Sequence, residues 1–315
     1  MDKSAQVLSY IERRNWLSGP LRCRFLAAGE YNENYLVEGA GPPAVCRVNH
    51  GTQLGLERQV EYEFHVLQAV HPSGVTPRPL AFSGDGEDLG DGVLLMEFRP
   101  GRPLDYRCDL PVAAKIFAAI HRLPPSPLLL VQADPVAAIA AESMGLLGRH
   151  QSDGLREVRL LLEDYHRRIV ELAARRPFAG EALVMVNTEV NSGNFLIDPA
   201  GSSLVDWEKA VVSCRYQDLA HFVVPTTTLW KSDCRLGREE KRGFLAAYRQ
   251  AAALSLPLDE LEEKTALMER VILLRALSWC HMAYHEYVGG GRALTSDATF
   301  AKIVAYLGEA RCFLK

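Results

Sequence analysis

The sequence lacks a basic excess: 35 Lys and Arg face 39 Asp and Glu, giving a formal charge of −4. Proteins that grip a phosphate backbone usually carry a basic stripe, so nucleic acid is not an expected partner. No run of about 18 apolar residues occurs, so no membrane-spanning helix is expected. The opening stretch Val7-Leu8-Ser9-Tyr10-Ile11-Glu12-Arg13-Arg14 is amphipathic and charged, not the unbroken apolar run of a secretory signal. None of the seven cysteines sits in a C-x-x-C pair. Such a dispersed, odd set reads as free thiols in a reducing cytoplasm. No Gly-x-Gly-x-x-Gly follows a strand and no Gly-x-Ser-x-Gly occurs, which argues against a dinucleotide fold and an α/β-hydrolase. The glycine run Val288 to Arg292 has no Lys-Ser/Thr after it, so it reads as a connection between helices. Internal repeats and low-complexity segments are also missing.

What remains is an ordinary globular chain of 315 residues, 48% hydrophobic, long enough for two domains. The first third reads as strands with one helix. Strand candidates are 21–27, 35–37, 44–48, 80–83 and 92–98, separated by Gly-, Asn- and Pro-rich turns. Between them, 56–70 has no breaker and places Val60, Phe64, Leu67 and Val70 at helical spacing. After Pro100-Gly101 the pattern turns helical at 112–123, 136–147, 155–175, 271–287 and 297–314. An exception lies at 183–185, 195–197 and 203–206, three short strand candidates. The expectation is an α+β chain with a five-stranded antiparallel sheet lobe at 1–98 and a larger helical lobe at 99–315.

The chemistry concentrates in 186–208. Glu189 precedes Asn194 by five residues in a polar turn, and Asp206 ends a short apolar segment twelve residues later. A hairpin turning at Asp198-Pro199-Ala200-Gly201 puts Asn194 and Asp206 at one end, where both oxygens can face one ion. Oxygen ligands from a few protein groups, completed by substrate phosphates, suit Mg²⁺. Glu189 would stand beside them as a base or orienting group. The same residues also fit a plain solvated turn. Two further signals carry less. His281 and His285 lie at i and i+4, but Met282 stands where a zinc-protease helix has glutamate, so packing competes with metal binding. Trp230, Trp279, His281, Tyr284 and His285 form an aromatic set suited either to a ligand pocket or to the core.

Asn187-Thr188-Glu189 through Asn194, followed by Val205-Asp206-Trp207-Glu208, resembles the His-x-Asp-x-x-x-x-Asn and Ile-Asp-Trp-Glu segments of aminoglycoside phosphotransferases and choline kinases. Five other segments are similar to that family in the same order. Gly29 to Val37, with Gly29 and Asn32, resembles the hairpin that covers nucleotide phosphates. Arg47 stands where the family places its phosphate-binding cation, and Glu63 resembles its helix partner. Leu94 to Gly101 resembles the hinge, implying that adenine bonds backbone near Glu97 and Arg99 with Met96 behind it. Ala118 to Leu123, containing His121, and Tyr216 to Ala220, containing a loop-bracing Asp218, complete the set.

The resemblance implies a protein-kinase-like two-lobed fold. It implies ATP and Mg²⁺ as cofactors, Asn194 and Asp206 as metal ligands, and Glu189 in the catalytic position. The expected partner is a small-molecule hydroxyl acceptor, bound by a monomer or homodimer. Two residues depart from the family pattern. Asn187 replaces the loop histidine, a change that an amide bonded to backbone groups can absorb. Glu189 replaces aspartate and adds one carbon–carbon bond, up to roughly 1.5 Å of reach. Misplacement by about 1 Å costs on the order of 100-fold in rate. A nucleotide-binding chain without transfer is therefore the alternative expectation.

Overall fold

The computed structural model describes residues 3–150, 153–291 and 296–315. The N-terminal part contains α1 (Ser4–Arg13), β1 (Arg22–Ala28), β2 (Asn32–Glu38), β3 (Ala44–Asn49), α2 (Gln59–Val70), β4 (Pro79–Ser83) and β5 (Gly92–Glu97). Its five strands form one antiparallel sheet in the order β1-β2-β3-β5-β4. The two-residue period of the strands sorts their side chains onto two faces. Tyr35, Val37, Cys46, Val48, Val93 and Leu95 pack with Val7, Tyr10 and Ile11 of α1. Val45, Leu94 and Met96 join Val60, Val66, Leu67 and Val70 of α2 in the main core. The amphipathic opening stretch is thus a helix, and it covers the sheet face that α2 leaves open. The helix expected from residue 56 starts at Gln59, beyond the Gly55 turn.

The C-terminal part is mostly helical. It runs β6 (Arg102–Pro103), α3 (Leu110–His121), α4 (Pro135–Gly148), α5 (Arg156–Ala174), β7 (Leu183–Val186), β8 (Phe195–Ile197), β9 (Ser203–Leu204), β10 (Val211–Cys214), α6 (Tyr216–Val223), α7 (Pro225–Thr228), α8 (Arg238–Ala251), α9 (Leu258–Gly289), α10 (Asp297–Gly308) and α11 (Ala310–Phe313). The chain is therefore α+β, with a five-stranded antiparallel sheet followed by a helical body. Helix α9 runs through this body against α4, α5, α6, α8 and α10. The glycine run after it is described only to Gly291; Arg292 lies outside the described residues.

Two small β pairings hold the loop that carries the candidate site. β7 pairs with β10, Val186 opposite Val211. β8 pairs with both β6 and β9. Strand β10 was not expected: Val211-Val212-Ser213-Cys214 is wholly buried and shows no alternation to read. Gly101 lies against β8 with φ +149°, and a Cβ there would sit 2.8 Å from the Leu196 carbonyl carbon. Only glycine lets the crossing between the two parts lie so close to that strand. Among the described residues no helix is long and apolar enough to cross a membrane.

Candidate active site

The loop after β7 is fixed by a buried carboxylate. Asp218, in the first turn of α6, is fully buried and accepts the N–H of Asn187 through Oδ2 and of Thr188 through Oδ1, both at 2.9 Å. His121 Nε2 lies 3.2 Å from the same Oδ2, and its Nδ1 lies 2.9 Å from the Tyr248 hydroxyl. Asp218 therefore holds the loop, as the resemblance implied, and His121 is a buried partner behind it. Thr188 has φ +66°, uncommon for a β-branched residue. Besides the Asp218 bond, its hydroxyl donates to the Lys209 carbonyl (2.9 Å) and its own carbonyl accepts from Arg275 (3.3 Å). Such over-determination is what keeps a strained conformation in place.

The Asn187 amide bonds backbone groups on both sides of the loop. Its Nδ2 donates to the Asp206 carbonyl (2.8 Å) and its Oδ1 accepts the Glu189 N–H (2.9 Å). Asp206 itself has φ +65°. The turn at 198–201 closes as expected, with the Gly201 N–H donating to the Asp198 carbonyl at 3.1 Å. The Val205 N–H donates to the Asn194 carbonyl (2.9 Å), which brings Asn194 and Asp206 to one end of the hairpin. Asn194 Nδ2 donates to the Glu189 carbonyl at 2.6 Å, which orients the amide. Its Oδ1 makes no hydrogen bond among the described residues.

Carboxylate oxygens of Glu189, Asp206 and Glu208 all lie within 4.8 Å of one another. Burial, then Asp206 and Glu189, push the Glu208 carboxyl well above its ordinary value. Burial, then Asp206, push Glu189 up as well, against the pull of Lys209. The crowding of these carboxylates accounts for the direction of both shifts. Glu208 was quoted in the sequence motif but not assigned a role; its Oε2 accepts from Asn32 at 2.6 Å.

The sheet supplies the facing wall. Arg47 on β3 is buried and donates through Nη1 to Glu63 of α2 (2.6 Å) and to Asp206 (2.9 Å), and through Nε to Asn34 (3.0 Å). The expected Arg47–Glu63 pair is thus formed, and the same cation also reaches the hairpin. Burial works against the Arg47 charge, but Glu63 and Asp206 outweigh it and raise its pKa.

One cavity of about 850 Å³ joins these groups, lined by Gly29, Asn32, Arg47, Met96, Glu97, Arg99, Glu189, Asn194, Asp206 and Glu208 among others. Glu63 stands behind Arg47 and is not on the lining. Asn32 is more committed than the sequence implied, since its Oδ1 also accepts from Asn49 (2.9 Å). At the hinge, the Glu97 N–H donates to Arg78 O (2.8 Å) and the Phe98 N–H to Pro43 O (3.1 Å). The Arg99 N–H has no hydrogen-bond partner among the described residues. Its side chain turns away to the carbonyls of Gly74 (2.9 Å) and Thr76 (3.3 Å).

Trp230 and Trp279 line the far end of the cavity, while His281, Tyr284 and His285 do not. His281 is fully buried with neither ring nitrogen hydrogen-bonded, and its ring centre lies 4.9 Å from that of His285. Sequence reasoning also missed Gln53, Lys209, His221 and Arg275. Gln53 Nε2 donates to Glu189 Oε1 at 3.0 Å, Lys209 and Arg275 act on the same carboxylate by their charge, and His221 lines the cavity against Arg275.

The fold is similar to that of Plasmodium vivax ethanolamine kinase, with a TM-score of 0.66 and 14% identity over 93% of this chain and 82% of that one. It is also similar to choline kinase from Streptococcus pneumoniae (TM-score 0.63, 15% identity, 98% and 100% covered). A third similar structure is a spectinomycin phosphotransferase bound to ADP and spectinomycin (TM-score 0.58, 11% identity, 98% of each chain). The model of the phosphotransferase enzyme family (APH) matches residues 22–256, and the chain belongs to that family. No curated protein sequence matches it.

Proposed function

We propose that the protein transfers the γ-phosphoryl group of Mg·ATP to a hydroxyl of a small molecule. The observation that carries this reading is the meeting, in one cleft, of the Arg47–Glu63 pair with the carboxylates of Glu189, Asp206 and Glu208. In this reading residues 1–98 form the nucleotide lobe, and 99–315 carry the catalytic loop, metal site and acceptor site.

Arg47, held rigid by Glu63, faces the nucleotide phosphates, and backbone N–H groups of the Gly29 turn cover them. The unpartnered Arg99 N–H is the hinge donor available to adenine, with Met96 at the back. The crowded carboxylates fit a divalent cation: Asp206 and Glu208 offer charge, and Asn194 offers an oriented, unbonded Oδ1. Bound there, Mg²⁺ would neutralise charge on the phosphates during transfer. The acceptor oxygen forms its bond to the γ-phosphorus as the bond to the β–γ bridging oxygen breaks. Glu189 accepts the hydroxyl proton, and ADP leaves with the bridging oxygen. Most of the catalytic effect in such reactions is positioning and electrostatic stabilisation, so the base needs reach more than strength.

The rival, a nucleotide-binding chain without transfer, draws support from the Gln53 bond that engages the longer Glu189 side chain. Turnover separates the two. ATP consumption is measured with aminoglycosides, choline, homoserine, methylthioribose and sugars. Glu189→Gln should lower the rate on the order of 100-fold or more while Mg·ATP still stabilises the fold. Equal rates in the wild type and Glu189→Gln would contradict the assignment.

A further inference from the structure

The acceptor end of the cleft has a charge pattern that narrows the substrate. Helix α9 presents Ile272, Arg275, Ala276 and Trp279 to the cavity, at i, i+3, i+4 and i+7, one stripe of a single face. Arg275 is 6% exposed. Its Nη2 donates to the carbonyl of Thr188, next to Glu189, and to His221 Nδ1 at 3.2 Å. Its Nε and Nη1 make no hydrogen bond, and no carboxylate forms an ion pair with it, among the described residues. The carboxylates nearby are engaged elsewhere. Glu142 lies 3.5 Å from Lys209, and Glu189 is bonded to Gln53.

Glu142 and Glu189 lie close enough to feel the Arg275 charge, but neither makes a direct ion pair with it, which leaves two of its donors for a ligand. The surroundings point the same way. Beyond Glu208 in the chain, every charged residue lining the described cavity is a cation: Lys209, Lys231 and Arg275. Lys209 is already matched by Glu142, which leaves Arg275 and Lys231 as the cations on this part of the lining without a direct ion pair among the described residues. Next to them Trp230 and Trp279 stand edge to face, ring centres 5.9 Å apart, with Tyr306 5.8 Å from Trp230. The small Ala276 leaves space between the guanidinium and the indole one turn along α9.

We infer that the acceptor is an anionic hydroxy compound, its carboxylate paired with the free edge of Arg275, its hydroxyl beside Glu189 and its apolar body against Trp230 and Trp279. This rests on the phosphotransfer reading above and names the class of substrate for that site. The planar fork of arginine suits a carboxylate bidentately, which lysine cannot reproduce.

The test uses the full chain loaded with Mg·ADP and titration calorimetry. The probes are matched trios of hydroxy acid, primary amide and amine on aliphatic and aromatic bodies, such as 3-hydroxy-3-phenylpropanoate, its amide and 3-amino-1-phenylpropan-1-ol. The wild type should bind the acid at least about tenfold more tightly than the amide, with the amine weakest. Arg275→Met should bring acid and amide within about twofold of each other, and Arg275→Lys should keep part of the preference.

Three results would overturn the inference. One is an amide or amine bound as tightly as its acid by the wild type, an arm that needs no variant to fold. Another is a panel in which no acid binds below about 10 mM. The third is an Arg275→Met protein that loses Mg·ATP affinity about tenfold while keeping the acid preference, which would place the arginine on the nucleotide. Charge preference is read without transfer, so it can fail while ATP is still consumed, and the phosphotransfer reading can fail while it holds.

Discussion

Replacing Asp218 by Asn tests whether one buried carboxylate sets the catalytic loop. The side chain is fully buried and accepts two backbone N–H groups at 2.9 Å, with His121 Nε2 3.2 Å away. Asparagine keeps the shape but has one acceptor atom. One N–H, of Asn187 or Thr188, would then face an amide NH₂. The loss is one charge-assisted hydrogen bond, about 1.5–3 kcal/mol, and one buried donor is left orphaned at about 1–3 kcal/mol. These overlap, so about 3 kcal/mol is the expected cost. A chain of 315 residues unfolds with roughly 0.66 kcal/mol per degree of entropy, so Tm should fall by about 4–5 °C. The loop would also shift under Thr188, whose φ of +66° depends on these bonds. A displacement of about 1 Å at Glu189 predicts on the order of 100-fold lower kcat. Calorimetric unfolding and ATP turnover, measured on the same preparation, check both. A Tm within about 1 °C of wild type together with unchanged turnover would refute the brace.

Gly101→Ala should cost at least about 2 kcal/mol by thermal unfolding, because its Cβ would meet backbone of β8 at 2.8 Å with φ at +149°. Arg47→Met leaves the Glu63 carboxyl buried and unpaired and should cost about 3–5 kcal/mol. In the double variant Arg47→Met/Glu63→Leu most of that loss should return, and a double-mutant cycle by urea denaturation measures it. The pH dependence of stability should carry a mark of His281. Burial first, then His285 and Arg159, lower its pKa to about 4. The unfolded chain takes up that proton near pH 6.5, the folded chain only near 4, so the contribution is complete above about 6.5 and lost as pH falls through 4. At about 1.36 kcal/mol per pKa unit the contribution is roughly 3 kcal/mol at most, and His281→Leu should flatten the acid limb of the stability curve by a comparable amount.

The sheet was legible in the sequence because alternating apolar residues and Gly-, Asn- and Pro-rich turns are local signals. The hairpin bearing Asn194 and Asp206 was legible for the same reason, since turn chemistry and register place both at one end. Arg47 and Glu63 could be paired only through the family resemblance, and they do meet at 2.6 Å. What escaped is long-range. Arg275 and His221 meet at 3.2 Å and join Glu189 on the cavity lining only after α6 and α9 pack together, and no periodicity announces which residue on a long helix faces a cleft. Gln53 sits in a stretch without pattern. Of the five aromatic and histidine residues read as either pocket or core, the four on α9 divide by helical phase. Trp279 turns to the cavity with Arg275, whereas His281 is buried away from it and the half-buried His285 packs against His281 and His150. Glu208 was visible in the motif, but its burial and its contact with Asn32 depend on the two parts of the chain closing on each other.

The central claim, a cation-dependent phosphate site built from the carboxylate cluster and Arg47, is tested most directly by stabilisation. Thermal unfolding is followed while Mg·ATP is titrated into the wild type and Asp206→Ala, each also with EDTA. At about 100 times the dissociation constant the wild type should gain about 2.7 kcal/mol, a rise of roughly 4 °C, that depends on Mg²⁺ and weakens at least about tenfold in affinity in the variant. The same stabilisation in wild type and Asp206→Ala, or none in either, would contradict the account.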